Sequence, residues 1–178
     1  MNITNKQILL REFKTSDAPN LVAIFQHIAV ARYMGIPYPY TLEAAKESIE
    51  KYKWEQKKGK AFFFAVINKE DNKLIWYVWL NHICTTNLRW EIEYGIDQSY
   101  WWKWYWTEIV RKIVDFGFHM LHLNRIFWQV RAPNIASCKV LEKVWFLMEG
   151  RLRENVYDRY DKVRLDHIVY WLLKKEYY

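Results

Sequence analysis

The sequence predicts one α/β domain over residues 1–178, a central twisted mixed β-sheet flanked by helices. Three observations predict it. Strand-like and helix-like periodicities alternate in the order β-α-α-β-β-β-α-β-α-β-β. The length of 178 residues suits one domain with a real core. No internal repeat, low-complexity linker or composition break divides the chain.

Each element has a local reason. Gln7 to Phe13 suits a strand, and Thr15-Ser16-Asp17 supplies N-cap chemistry for a helix with Pro19 in its first turn. Leu21, Ile24, Phe25 and Ile28 fall at i, i+3, i+4 and i+7, one apolar helix face. Pro37 and Pro39 make Met34 to Tyr40 irregular. Thr41 caps a second helix running to about Lys58, with Ala45, Ile49 and Tyr52 on its apolar side.

A β-rich section follows. Ala61 to Ile67 is a short apolar run, residues 69–73 form a polar turn, and Leu74 to Ile83 is a longer strand. Thr85-Thr86-Asn87 turns the chain into a third strand, Leu88 to Ile96. A helix over Tyr105 to Leu121 points Ile109, Val110, Ile113, Gly117 and Met120 inward and Glu108, Arg111, Lys112 and Asp115 outward. Arg125 to Arg131 alternates as a strand does, and Asn134 to Val144 is a helix begun after Pro133. Two strands, Phe146 to Val156 and Val163 to Leu173, close the chain around the polar Asp158 to Lys162 turn.

Composition excludes several classes. A 52% hydrophobic content excludes disorder, and 27 Lys plus Arg against 20 Asp plus Glu gives a net charge of +7. Two cysteines, Cys84 and Cys138, cannot build a disulfide framework and point to a reducing, cytoplasmic setting. The first residues carry no signal-peptide apolar run. No stretch approaches the roughly 18 apolar residues of a spanning helix, so a soluble protein without a membrane partner is expected. Asp115, His119 and His122 share helical spacing, yet such spacing alone is weak and no metal site is expected. One feature is abnormal: 11 tryptophans against 5 glycines.

Local strings are spaced along the chain: Leu9-Leu10-Arg11, Trp90-Glu91-Ile92, Ser99-Tyr100-Trp101 leading into Thr107-Glu108, Asn124-Arg125-Ile126, Asn134-Ile135-Ala136-Ser137, Leu141-Glu142-Lys143 and Glu149-Gly150-Arg151-Leu152-Arg153. With the element order, these strings resemble the GNAT acetyltransferase superfamily. They are most similar to the branch of ribosomal-protein N-terminal alanine and serine acetyltransferases. The resemblance implies a sheet splayed near Ile96 and Arg125 to Arg131. It implies acetyl-CoA as cosubstrate, and a protein N-terminus or small amine as acceptor. It further implies backbone amides near Ile96 and Asp97 for the acetyl carbonyl and a cofactor loop over Trp102, Lys103, Trp104, Tyr105, Trp106 and Thr107. Asn134 would help seat the cofactor, and Ser137 would protonate the departing thiolate. A monomer or homodimer fits this reading.

The residues also have readings of their own. Asn134 and Ser137 are good helix caps. Glu91 and Glu93 alternate on one strand face, so they either look into one cleft, where Glu91 or a water acts as base, or lie on a solvated face. Cys138 has no histidine placed by the sequence to activate it.

Trp76, Trp79, Trp90, Trp102, Trp104, Trp106, Trp128 and Trp145 stand where the family pattern has a small residue. A pyrophosphate cradle needs backbone N–H groups with no side chain in front of them. Indoles in the loop therefore imply weak or absent activity, and overpacked core positions would each cost typically 1–3 kcal/mol. The residues between the tryptophans keep the family pattern, which reads as deliberate replacement. Two alternatives follow: a non-catalytic scaffold with a blocked cofactor site, or, ranked below it, a basic aromatic surface stacking nucleic-acid bases through Trp-rich segments near Lys103, Arg111 and Lys112.

Overall fold

The computed structural model describes residues 2–4, 6–84, 86–96 and 105–177. Strands are β1 (Asn2–Thr4), β2 (Ile8–Arg11), β3 (Phe62–Asn68), β4 (Lys73–Cys84), β5 (Arg89–Ile96), β6 (Arg125–Arg131), β7 (Leu147–Asp158) and β8 (Val163–Leu173). Helices are α1 (Ala18–Phe25), α2 (Ile28–Met34), α3 (Leu42–Lys57), α4 (Tyr105–Asp115) and α5 (Ile135–Lys143). The strands form one mixed sheet in the order β1-β2-β3-β4-β5-β6-β8-β7. The register of β5 with β6 is parallel, from Arg89 opposite Arg125 to Glu91 opposite Phe127. The expected α/β class is therefore observed. The chain divides into two compact units, Met1–His82 with Glu93–Trp102, and Ile83–Ile92 with Lys103–Tyr178.

In the first unit β3 is a continuous apolar run, buried almost throughout, as expected of a strand covered on both faces. Leu21, Ile24 and Phe25 of α1 and Ala45 and Ile49 of α3 pack in one core with Phe63, Ala65, Ile67 and Tyr77. Thr41 caps α3 by accepting the Ala44 N–H at 3.1 Å. Two expectations need correction. Ile28 does not extend the α1 face: the chain breaks at His27 (φ −83°, ψ 110°), Ile28 opens the separate helix α2, and its side chain is 52% exposed. Asp17 does not cap α1; its carboxylate takes both Arg11 Nη groups at 2.6 and 2.8 Å and the Lys14 N–H at 2.8 Å, closing the short 3-10 turn before the helix.

In the second unit Ile109, Val110 and Ile113 of α4 are buried as expected. The helix then widens into a π turn over Phe116–Met120. That extra residue per turn rotates Met120 out of the apolar face, and it is exposed rather than inward. Gly117 packs closely against β6: a Cβ there would lie 2.8 Å from Ile126 Cδ1, so that side chain would have to shift. Along β6, Ile126, Trp128 and Val130 are buried while the alternate residues are half-buried. Asp158, fully buried, accepts the Tyr160 and Asp161 N–H groups at 2.9 and 3.3 Å and so builds the β7–β8 turn.

The tryptophans divide by environment. Trp76, Trp90 and Trp128 are interior residues, and Trp76 meets Tyr94 edge-on at 5.1 Å. Trp145 follows α5 with φ +65°, the left-handed region where a helix commonly ends on glycine.

Candidate functional site

The start of α5 carries the first candidate pair. Asn134 is the N-cap, its side chain accepting the Ser137 N–H at 3.2 Å, and Ser137 is only 8% exposed. The capping role of Asn134 is thus direct, and the hydroxyl-bearing residue it orders lies in a buried first turn. Further along α5, Glu142 accepts the Tyr170 O–H of β8 at 2.9 Å. Burial, with the Glu142 and Cys138 contacts, pushes the Tyr170 phenol up. Burial likewise pushes the Cys138 thiol up, which leaves a neutral sulfur beside Ser137. This hydrogen bond ties α5 to β8 and so holds the helix that presents Ser137.

On β5, Glu91 is 9% exposed and Glu93 is half-buried. Glu93 accepts Asn81 Nδ2–H of β4 at 3.2 Å. The burial of Glu91 speaks against a solvated face for that residue, while Glu93 is partly exposed. Ile96 ends β5.

Of the expected cofactor segment, Asp97, Trp102, Lys103 and Trp104 lie outside the described residues. Tyr105 opens α4, and Trp106 and Thr107 are half-buried in its first turn. Thr107 brings a hydroxyl donor to the described start of α4. That donor chemistry fits a phosphate group. Glu108, also in the first turn, opposes it.

A cluster the sequence did not reveal lies at the other end of α4. Tyr177 O–H donates to Asp115 Oδ1 at 2.9 Å and to the Arg111 carbonyl at 3.3 Å. Arg111 sits over the Trp145 ring at 5.3 Å and donates to the Lys143 carbonyl at 3.3 Å. No local pattern connects positions so far apart in the chain. Among the described residues no three His, Cys, Asp or Glu side chains gather as a metal site. Among them, too, no helix is long and apolar enough to cross a membrane.

Residues 7–146 match the family described as acetyltransferase (GNAT) domain. The chain belongs to the GNAT acetyltransferase family. It is 33% identical over 173 residues to the uncharacterized N-acetyltransferase p20 of Bacillus licheniformis, covering 97% of this chain and 96% of that one. Its fold is also that of the ribosomal-protein-S5-alanine acetyltransferase from Vibrio fischeri, with TM-score 0.82, 24% identity, and 100% and 99% of the two chains covered. The spermidine N-acetyltransferase from Vibrio cholerae, in complex with CoA and spermine, aligns with TM-score 0.84 and 21% identity over 97% and 99% of the chains.

Proposed function

We propose that this chain transfers the acetyl group of acetyl-CoA to a primary amine, on a protein N-terminus or a small molecule. The observation that carries the reading is the burial of two polar side chains, Ser137 on α5 and Glu91 on β5, within a family fold. Burying a polar side chain costs free energy, which makes these two positions candidates for chemistry. Acetyl-CoA supplies the thioester carbonyl that the neutral amine attacks. The amine's proton passes to Glu91 or to a water. Backbone amides near Ile96 and Asp97 orient the acetyl oxygen, and the Ser137 hydroxyl donates a proton to the sulfur as the C–S bond breaks. Thr107, at the start of α4, would donate its hydroxyl to a phosphate. The resemblance favours a ribosomal-protein N-terminus as acceptor and a cytoplasmic setting.

The test is release of free CoA thiol and acetylated amine from a panel of peptides and small amines. Ser137→Ala is expected to lower kcat about 10²-fold with the fold intact, the ordinary contribution of a positioned acid. A folded, monodisperse protein that turns over no member of the panel overturns the reading.

A second reading has its own support. Trp145 occupies a glycine-like conformation, which is what replacement of a small residue by Trp would leave behind. Under that reading Trp102, Trp104 and Trp106 fill the pyrophosphate position and the chain is a preserved scaffold. Calorimetric titration of acetyl-CoA separates the two: stoichiometric micromolar binding supports transfer, and no heat from a folded sample supports the blocked scaffold.

A further inference from the structure

A cavity of about 500 Å³ lies within the first unit, between the region of α3 and the face of β4 that carries Trp79 and Asn81. Its size is that of small-molecule sites. Tyr40, Tyr52, Phe63 and Trp79 supply its aromatic lining. Three of these rings form one continuous wall: Tyr52 stacks on Phe63 at 4.2 Å, Phe63 meets Trp79 edge-on at 5.7 Å, and Tyr52 lies 6.1 Å from Trp79. Such a wall favours a flat ring laid against it.

The polar groups narrow the choice. Asn81 gives its Nδ2–H to Glu93, which fixes the amide orientation and leaves Oδ1 as a buried acceptor with no hydrogen-bond partner among the described residues. On the same face of β4, the Trp79 Nε1–H is a buried donor with no partner among them. A ligand with an N–H donor and a carbonyl or carboxylate acceptor complements this pair. Two lysines, Lys51 and Lys60, and one carboxylate, Glu55, complete the charged lining. Glu55 is already 3.8 Å from Lys51. Lys60, held over the Trp54 ring at 4.9 Å, is the cation left to meet an anionic ligand group. Burial pushes the Tyr40, Tyr52 and Tyr77 phenols up, so they stay neutral.

We propose that this cavity binds an aromatic amino acid, with its ring on the Tyr52–Phe63–Trp79 wall, its amine toward Asn81 Oδ1 and its carboxylate toward Lys60. That the bound amine is the acetyl acceptor rests on the transfer reading above; the binding itself does not. The experiment is calorimetric titration of the whole chain, without acetyl-CoA, by L-phenylalanine, L-leucine and spermidine. L-Phenylalanine is expected to bind at one site, at least tenfold more tightly than either of the others. Lys60→Gln, at an exposed position, is expected to weaken it three- to tenfold, and Tyr52→Leu tenfold or more. No saturable binding of phenylalanine, tighter binding of spermidine, or a Lys60→Gln variant indistinguishable from the parent overturns the proposal. Acetyl-CoA is then added. Phenylalanine bound but never acetylated sinks the transfer reading and leaves the site standing. Acetylation of another amine that phenylalanine does not inhibit sinks the site as the acceptor pocket and leaves transfer standing.

Discussion

The β3–β4 and β7–β8 hairpins close in the same way and differ in almost everything else. Each turn contains one residue in the left-handed region, Asn72 at φ 55° and Lys162 at φ 56°. β3 is apolar and buried nearly end to end, whereas β7 is exposed along most of its length. β7 is also a terminal strand of the sheet. Its register shifts twice, between Met148 and Gly150 and between Leu152 and Val156, and Glu154 adopts φ 52°. Charged residues interrupt it as well: Glu149 pairs with Arg125, and Arg151 with Asp166. Bulges and charges of this kind keep an edge from pairing with another chain. The hairpins teach that environment, not ring size, decides what a tryptophan does here. Trp76 in β4 is an interior packing residue, while Trp145, two residues before β7, is half out in solvent on strained backbone.

The largest expected effect breaks the interior side of that comparison. Trp76 is 1% exposed and its ring contacts Tyr94. Trp76→Ala removes a fully buried aromatic and is expected to cost about 3–5 kcal/mol, read as a lowered urea midpoint at unchanged slope. A loss below about 1 kcal/mol would show that the site collapses around the gap and that the indole is not integral to the core.

How far the sequence speaks for these elements follows the same division. β6 begins and ends where alternation says, β8 begins directly after the polar turn that precedes it, and Thr41 caps α3 because cap chemistry is local. Ile28 departs from the expectation because nothing in Gln26-His27 marks a break: no Gly or Pro is present there. Met120 failed because a π turn leaves the 3.6-residue period without a local signature. Asn134 and Ser137 were legible as a cap motif, and Glu91 as a strand carboxylate. Their burial was not, since it depends on neighbours distant in the chain. The aromatic cavity was illegible for the same reason: its lining runs from Ile36 to Asn81 and acquires meaning only when α3 folds over β4.

An intermediate effect sharpens the exposed side. Trp145 is 52% exposed, with contacts to Arg111 at 5.3 Å and Tyr177 at 5.8 Å. The left-handed conformation costs a residue with a Cβ about 1–2 kcal/mol, and an exposed cation–π contact returns about 0.5–1 kcal/mol. Trp145→Gly is therefore expected to stabilise the chain by about 0–1.5 kcal/mol. Destabilisation in equilibrium unfolding would mean that the Arg111 and Tyr177 contacts outweigh the backbone strain.

The smallest effect concerns pH and the partner strand of β7. His167 of β8 receives Asn155 Nδ2 at 2.9 Å on its Nδ1, an arrangement that suits neutral imidazole. Burial, aided by the nearby Arg131 charge, lowers its pKa below the ordinary 6.5. The unfolded chain then binds more protons than the folded one between the lowered folded value and about 6.5, so stability rises with pH across that window. Read downward, the contribution is complete above about 6.5 and falls away as the pH drops toward the folded value, below which it stays lost. His167→Gln, which keeps a hydrogen-bonding side chain without the titration, is expected to flatten the dependence of Tm on pH between about 7.5 and 5.5. A parent and variant with parallel profiles would place the acid sensitivity of this hairpin elsewhere. Asp166 is a separable candidate: its carboxyl is held below the usual range by the Glu154 N–H and by Arg151. Its contribution is present above the ordinary carboxylate pKa and is lost only as the pH falls through that lower value, well outside the histidine window.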